Sequence, residues 1–199
     1  MLILKKIAVT GGLACGKTTV CQLFKERGAF VVNADDIVHS LLSFKTKAGQ
    51  QVVALLGSDI VVNHQIDRNR ISKIVFSDSK KLKQLEAILH PLVRKEIHQQ
   101  FQQVQKQGNY PFLVAEIPLL YEIHMEQDFD AVIAVTADPH VAQQRFMQST
   151  HRPLEEFHKR SAQQLPSAQK EVKADFVIHN NHHRSDLTLA VDKIIECLS

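Results

Sequence analysis

The stretch Gly11-Gly12-Leu13-Ala14-Cys15-Gly16-Lys17-Thr18 decides the fold class of this 199-residue chain. An apolar run, Ile7-Ala8-Val9, precedes it, and a helical pattern that starts at Thr18 follows it. Glycines at both ends let the backbone turn back on itself, so that consecutive N–H groups surround a phosphate chain. The dipole of the following helix favours negative charge at the same place. Between a strand and a helix, this pattern predicts a phosphate-binding loop for a nucleoside triphosphate.

Side chains of this loop have predicted roles of their own. Lys17 places a positive charge against the β- and γ-phosphates, and the Thr18 hydroxyl is placed to ligate the Mg²⁺ that bridges them. Cys15 is a candidate reactive thiolate because backbone amides, Lys17 and a helix N-terminus surround it; the alternative is a small buried residue in place of serine. The residues predicted to bind ATP here are Gly11, Gly12, Leu13, Ala14, Cys15, Gly16, Lys17, Thr18 and Thr19.

The composition and charge of the chain indicate which kinds of binding partner we expect. The chain is 44% hydrophobic and has a net charge of +3, which suits a globular domain that binds a small anion. Basic stripes with interleaved aromatic residues are missing, so we expect no nucleic-acid partner. No apolar segment approaches the roughly 18 residues of a membrane span, so we expect no membrane partner either. The three cysteines lack metal-type spacing, which indicates a reduced cytoplasmic protein.

Five apolar runs predict the strands of a parallel sheet. Because helical segments alternate with them, the pattern is typical of a doubly wound α/β fold with helices on both faces. Asp35 and Asp36 follow the second run, at the sheet edge where such folds bind ligands, so a carboxylate here is a functional candidate; the alternative is a helix N-cap. The runs are residues 7–9, 29–32, 112–117, 131–135 and 176–178.

The segment of about 40–109 predicts a helical insertion that binds the second substrate. Apolar residues recur at helical spacing from Leu82 to Val104, interrupted at His90-Pro91, where the proline must kink the helix or start a new one. A polar, largely helical region follows at about 145–173. It is either a solvated face or a mobile lid whose cations close over the phosphates. We therefore expect one domain, 1–199, with its core in 1–39, 110–144 and 174–199.

Several further motifs, in order, resemble those of the dephospho-CoA kinase family. This resemblance covers nearly the whole chain and begins with the phosphate loop. Ala34-Asp35 resembles the family's Asp-Ala-Asp after the second strand. The other matching stretches are Ile66-Asp67-Arg68, Val75-Phe76, Leu89-His90-Pro91-Leu92, Pro118-Leu119-Leu120-Tyr121-Glu122, Gln164, Ala174-Asp175-Phe176-Val177-Ile178 and Asn180.

The resemblance implies a fold, a reaction and site residues. The fold is similar to that of nucleoside-monophosphate kinases, with a five-stranded parallel sheet, a helical CoA domain and a lid. The reaction is phosphorylation of the ribose 3′-hydroxyl of dephospho-CoA by ATP with Mg²⁺. By resemblance Asp35 is the catalytic base, assisted by Lys17 and Arg145, and Asn180 binds ATP. Dephospho-CoA binding is expected at Asp35, Arg68, His90, Pro118 and Leu119.

The chain departs from the family pattern at four positions. Glycine and serine are usual where this chain has Ala14 and Cys15, and Asn33 replaces the first aspartate of Asp-Ala-Asp. Ser149 stands where the family tends to carry a lid arginine. Arg145, one helical turn earlier, can face the same side, so we expect it to be the main lid cation, with Arg152 next.

Two alternatives to this function remain from the sequence. The first is a kinase of another small molecule, such as a nucleoside or a nucleoside monophosphate, because the loop is common to many such enzymes. The second is a nucleotide-driven switch, but a GTPase would carry an Asn-Lys-x-Asp motif, and none occurs. The sequence does not distinguish a monomer from a small homo-oligomer.

Overall fold

A computed structural model describes residues 4–198 and contains a sheet of five strands in the order β2-β5-β1-β6-β7. The β1–β5, β1–β6 and β6–β7 pairs are parallel. The strands of this sheet are β1 (Lys5–Gly11), β2 (Phe30–Asn33), β5 (Phe112–Glu116), β6 (Ala131–Thr136) and β7 (Phe176–His179). All five predicted strands are confirmed, within one or two residues at most ends, and so is the α/β fold class.

The central strand β1 explains why the phosphate loop is where it is. Six of its seven residues are buried, as expected for a parallel strand covered on both faces. The chain crosses from β5 on one side of β1 to β6 on the other, so the carboxyl end of β1 lies at the point where the strand order reverses. Doubly wound sheets bind their ligands at such a switch point.

The chain forms two compact units, and nine α-helices occur within residues 4–198. The first unit comprises the chain up to Val32 and again from Phe101 onward, and the second comprises Asn33–Gln100. The helices are α1 (Lys17–Glu26), α2 (Ala34–Leu41), α3 (Lys47–Leu56), α4 (Arg68–Ser77), α5 (Ser79–Gln107), α6 (Pro139–Thr150), α7 (Leu154–Ser161), α8 (Ser167–Lys173) and α9 (Arg184–Leu198).

The first unit has a core between its sheet and its helices. Ile7 and Val9 of β1 and Ile133 of β6 are fully buried there, together with Phe24 of α1 and Val191 of α9. Burying a large apolar side chain stabilises a fold by about 1.5–3 kcal/mol, so these contacts fix the sheet that carries the phosphate loop.

The second unit is helical, as predicted, but it also contains a hairpin that the sequence pattern did not indicate. Strands β3 (Val61–Val62) and β4 (Gln65–Ile66) pair in antiparallel fashion across Asn63 and His64, which have φ angles of 48° and 61°. Two residues with positive φ are typical of a type I′ hairpin turn. The strands are too short to show period-two alternation, which explains the missed prediction.

Pro91 does not start a new helix. Helix α5 runs without interruption from Ser79 to Gln107 with Pro91 inside it. The predicted helical periodicity is confirmed, since Leu85, Leu89 and Val93 are buried on one face. A buried apolar face on both sides of the proline compensates the hydrogen bond that a proline removes.

Candidate active site

The phosphate loop joins β1 to α1 through three residues with positive φ: Gly11 at 141°, Ala14 at 57° and Gly16 at 93°. A Cβ on Gly11 would lie 1.9 Å from the carbonyl oxygen of Val135, so only glycine fits beside β6 at this point. Gly16 is the N-cap of α1 and has no side chain to accept from the first-turn N–H groups. These groups therefore remain oriented as an anion site at a helix N-terminus.

Lys17 and Thr18 are the first residues of α1, and both side chains are held by neighbouring polar groups. The Lys17 ammonium group is buried and donates to the carbonyl oxygens of Gly12 at 2.8 Å and Gly11 at 3.2 Å. The Thr18 hydroxyl donates to Glu116 Oε1 at 2.9 Å. The cation and the hydroxyl are thus positioned by the fold, as the predicted roles require.

Glu116 was not among the residues predicted from the sequence. It is the last residue of β5 and is buried. Its signal in the sequence was a carboxylate at the end of an otherwise apolar strand, at the sheet edge where ligands bind. Because it accepts the Thr18 hydrogen, the lone pairs of that hydroxyl oxygen stay available for another partner.

Arg145 lies on α6 and reaches the same edge. Its guanidinium donates to the main-chain oxygen of Asn180 at 2.8 Å. Ser149 and Gln148, on the next turn of α6, line a cleft of about 590 Å³ together with Arg145. Gln148 is a second residue that sequence reasoning did not identify. The full lining is Ala14, Gly16, Lys17, Thr18, Thr19, Glu116, Arg145, Gln148 and Ser149.

Pro118 and Leu119 follow β5 and are partly buried. The Pro118 carbonyl oxygen accepts from Thr10 Oγ1 at 3.2 Å and from Lys170 Nζ at 2.7 Å. Lys170 is fully buried and forms an ion pair with Glu122 at 2.9 Å. It is therefore not a solvent-facing cation of a lid, because its charge is already neutralised inside the first unit. Its helix, α8, packs against β1 and β6.

Asp35 lies in the second unit, in the first turn of α2, and its side chain is exposed. The helix cap that the sequence assigned to one of the aspartates is in fact Asn33, whose Oδ1 accepts from the backbone N–H groups of Asp35 at 2.8 Å and Asp36 at 3.3 Å. Neither aspartate side chain is needed as the cap. Asparagine is as good an N-cap as aspartate, so this departure from the family pattern preserves the helix start.

Arg68 and His90 are separate features of the second unit. Arg68 Nη1 lies 2.9 Å from His39 Nδ1, and both residues line a cleft of about 310 Å³ with the exposed ring of Phe44. His90 is half-buried in α5 and is not part of that lining. Burial lowers the pKa of His90, and the nearby Glu86 carboxylate acts in the opposite direction.

The family of the chain follows from comparison with known proteins. The sequence model of the family described as dephospho-CoA kinase matches residues 5–186. The dephospho-CoA kinase of Protochlamydia amoebophila is 45% identical over 197 residues, which cover 98% of this chain and 97% of that protein. The chain belongs to the dephospho-CoA kinase family.

Solved structures similar to this dephospho-CoA kinase family member support the fold. A crystal structure from Thermus thermophilus has a TM-score of 0.85 and 28% identity, and the match covers 98% of each chain. The dephospho-CoA kinase from Campylobacter jejuni has a TM-score of 0.72 and 27% identity, over 99% of this chain and 98% of that one. The P-loop kinase fold is therefore confirmed.

The two departures inside the phosphate loop are accommodated differently. Ala14 keeps the left-handed conformation at a cost of roughly 1–2 kcal/mol that glycine would avoid. Cys15 is buried, and its thiol donates to the Leu13 carbonyl at 3.7 Å. Burial raises the pKa of this thiol, although the charges of Lys17 and Arg145 act to lower it. Burial and this raised pKa favour the alternative, in which Cys15 is a small buried residue in the place of serine.

The sequence predicts a Mg²⁺ ion beside the phosphate loop. Within residues 4–198, no group of three or more His, Cys, Asp or Glu side chains could hold a metal ion by itself. His179 is the last residue of β7, and its Nδ1 lies 3.0 Å from Thr136 Oγ1. The pair formed by Thr18 and Glu116 does fit Mg²⁺ held jointly with a nucleotide, because both supply hard oxygen ligands. In the same part of the chain, no helix is long and apolar enough to cross a bilayer.

Proposed function

We propose that this chain transfers the γ-phosphoryl group of ATP to the ribose 3′-hydroxyl of dephospho-CoA and so completes coenzyme A. The observation that carries the proposal is a family match over residues 5–186 on a chain whose Lys17, Thr18, Glu116 and Arg145 line one cleft. A kinase of a nucleoside or nucleoside monophosphate would need the same phosphate loop. The full-length match to dephospho-CoA kinases favours dephospho-CoA as the acceptor.

The phosphate loop binds ATP in this proposal. Backbone N–H groups of residues 11–19 surround the phosphates, and the Lys17 ammonium group turns from the loop carbonyls toward the β- and γ-phosphate oxygens. Arg145 neutralises charge that spreads over the transferring group. Because Arg145 is held by the Asn180 carbonyl before the nucleotide arrives, it needs little reorganisation during the reaction.

Thr18 and Glu116 would hold Mg²⁺ with the nucleotide. The Thr18 oxygen serves as a direct ligand, while Glu116 keeps that hydroxyl oriented through the hydrogen it accepts. When bound, the metal ion would neutralise phosphate charge.

Asp35 is the proposed general base. Its carboxylate accepts the proton of the 3′-hydroxyl as that oxygen forms a bond to the γ-phosphorus, while the bond to the β–γ bridging oxygen breaks and its electron pair leaves with ADP. Three features support this role. The Asp35 carboxylate is exposed, it lies two residues after the carboxyl end of β2, and Asn33 rather than Asp35 caps helix α2.

Binding of dephospho-CoA is assigned to Asp35, Arg68, His90, Pro118 and Leu119. Arg68 has the clearest support, since its cation lines a cleft with an exposed aromatic ring, a combination that suits a ligand with both anionic and apolar parts. His90 has the weakest, because it lies outside that cleft.

The lid, the oligomeric state and the cellular compartment are also proposals. The lid comprises about 145–173 without Lys170, whose charge is buried. The protein acts as a monomer or small homo-oligomer, and its three cysteines, which form no disulfide within residues 4–198, suit a reducing cytoplasm.

A coupled ADP-release assay tests the acceptor. Dephospho-CoA, adenosine, AMP and shikimate are compared at equal concentration with Mg²⁺ and ATP. We expect turnover with dephospho-CoA at least about 100-fold above the others, because a site built to pair polar groups rejects analogues that leave them unpaired. Faster turnover of AMP or adenosine would instead support the kinase of another small molecule.

A further inference from the structure

Asn180 follows the last residue of β7 and is only 6% exposed, so its polar groups must find partners within the protein. Its side-chain Nδ2 donates to the main-chain oxygen of Cys15, in the phosphate loop, at 2.8 Å. These two residues are 165 positions apart in the sequence. A single amide thus ties the loop after β1 to the far end of the sheet.

The main chain of Asn180 makes two further contacts. Its N–H donates to the Thr136 carbonyl at 2.7 Å, which extends the β6–β7 pairing by one residue. Its carbonyl oxygen accepts from Arg145 Nη1 at 2.8 Å, and its side-chain Oδ1 lies 3.5 Å from Arg145 Nη2. The loop and the arginine are therefore held by one and the same residue.

Gly16 shows how closely the amide approaches the loop. A Cβ at this position would lie 2.2 Å from Asn180 Nδ2, and the φ angle of 93° also disfavours any other residue. The contact therefore requires glycine at position 16, because a larger residue there would displace the Asn180 amide.

Peptide geometry connects this contact to phosphate binding. The carbonyl of Cys15 and the N–H of Gly16 belong to one trans peptide unit, so they point in opposite directions. When Asn180 holds the carbonyl, it also fixes the direction of that N–H, away from Asn180. The loop amides can be directed at an anion only if this peptide unit does not flip.

We propose that Asn180 is a positioning residue of the phosphate loop and of Arg145, and that its side chain does not recognise the adenine base. Its amide orders the Cys15–Gly16 peptide unit, and its carbonyl oxygen fixes the guanidinium beside it. The ligand affected by Asn180 is therefore the polyphosphate chain of the nucleotide. This inference rests on the proposed nucleotide site.

Calorimetric binding of ATP and of inorganic tripolyphosphate, both with Mg²⁺, separates positioning from base recognition. Asn180→Ala removes the donor, and Asn180→Leu removes it while keeping the approximate shape of the side chain and adding no charge. For each variant we expect both affinities to fall by the same factor, about 10- to 100-fold, because a buried carbonyl loses its partner. Loss of ATP affinity with unchanged tripolyphosphate affinity would overturn the proposal, and so would wild-type affinity for both.

Base selectivity provides a second readout that does not depend on the folded fraction of a variant. The ratio of kcat/KM for ATP to that for ITP is measured in a single preparation, so inactive protein cancels. We expect this ratio to be unchanged in both Asn180 variants. A ratio that falls toward 1 would assign the side chain to the adenine base.

Two control variants complete the experiment. Asn181→Ala changes the same residue type at the next position, where the side chain bonds Asp138 rather than the loop, and should leave tripolyphosphate affinity unchanged. Lys17→Ala tests the nucleotide site itself. If Lys17→Ala binds tripolyphosphate normally, the proposed site fails; if it does not and the Asn180 variants do, only the role of Asn180 fails.

Discussion

The two compact units hold their candidate residues in different ways. In the first unit, Lys17, Glu116 and Asn180 are each at most 8% exposed, and Glu116 and Asn180 contact residues distant in sequence. In the second unit, Asp35 and Arg68 are exposed, and Asp35 lies two residues after its capping residue, Asn33. A phosphate site must be rigid before its ligand arrives, whereas exposed side chains on helices are adjustable. We therefore expect substitutions in the first unit to alter the nucleotide site as a whole, and those in the second to act one residue at a time.

Asp35→Asn is expected to have the largest effect. Loss of a general base lowers kcat by about 10²–10⁴-fold, while the affinity for ATP should stay within about threefold of wild type, since the loop is unchanged. Steady-state kinetics and calorimetry measure the two quantities.

Asp36→Asn is the matched control, because Asp36 is the adjacent carboxylate of the same helical turn and is equally exposed. It should retain nearly full activity. If Asp36→Asn loses as much as Asp35→Asn, the carboxylates act through charge or helix stability rather than as one base.

Arg145→Ala is expected to have the next largest effect, a decrease in kcat of about 10²–10³-fold, as for other groups that stabilise charge in the transition state. Arg152→Ala is the control within the same predicted lid. Arg152 pairs with Glu156 at 3.2 Å and does not line the cleft, so we expect a change below about threefold. A larger effect at Arg152 than at Arg145 would show that this segment rearranges when the substrates bind.

Glu116→Gln is expected to have an intermediate effect that depends on the metal. The Mg²⁺ concentration for half-maximal activity should rise by about 10–100-fold, with smaller changes in kcat at saturating Mg²⁺, since groups that orient a metal ligand affect metal affinity most. Thr18→Ser, which keeps the hydroxyl, should behave like wild type, whereas Thr18→Val should resemble Glu116→Gln. An unchanged Mg²⁺ requirement in Glu116→Gln would limit this residue to a structural role.

The success of the sequence-based predictions also differs between the two units. The strands, the loop and the roles of Lys17 and Thr18 came from local patterns, because the geometry of a P-loop is determined by neighbouring residues. Gln148 could not be found in this way, since only the placement of α6 brings it to the loop. Glu116 had a local signal, but only the pairing of β5 with β1 shows that it lies beside the loop. The burial of Lys170 could not be predicted from the sequence either, because lysine is almost always exposed and its partner Glu122 is 48 residues away.

In the second unit, the sequence-based predictions failed for other reasons. The β3–β4 hairpin has two residues in each strand, too few for a pattern, and Pro91 is tolerated because the rest of α5 packs on both sides of it. His90 was assigned to the substrate by resemblance, yet the structure places it half-buried within a helix. Its position raises a physical alternative, a histidine that contributes to stability in its neutral form.

His90 is expected to have the smallest effect, and that effect should depend on pH. Burial lowers the pKa of His90 from its ordinary value of 6.5, so the unfolded chain binds the proton more readily than the folded chain. As pH falls below 6.5, proton uptake therefore favours unfolding; the contribution of neutral His90 is fully present above pH 6.5 and is lost as the pH decreases through this window.

Thermal unfolding of His90→Gln between about pH 5 and pH 7 tests this alternative against substrate binding. If His90 acts through stability, the variant should have a flatter dependence of Tm on pH below 6.5, with an unchanged KM for dephospho-CoA. A raised KM for dephospho-CoA with an unchanged dependence of Tm on pH would support the assignment of His90 to the dephospho-CoA site. It would also mean that helix α5 of the second unit supplies a buried ligand contact, as the phosphate loop does in the first.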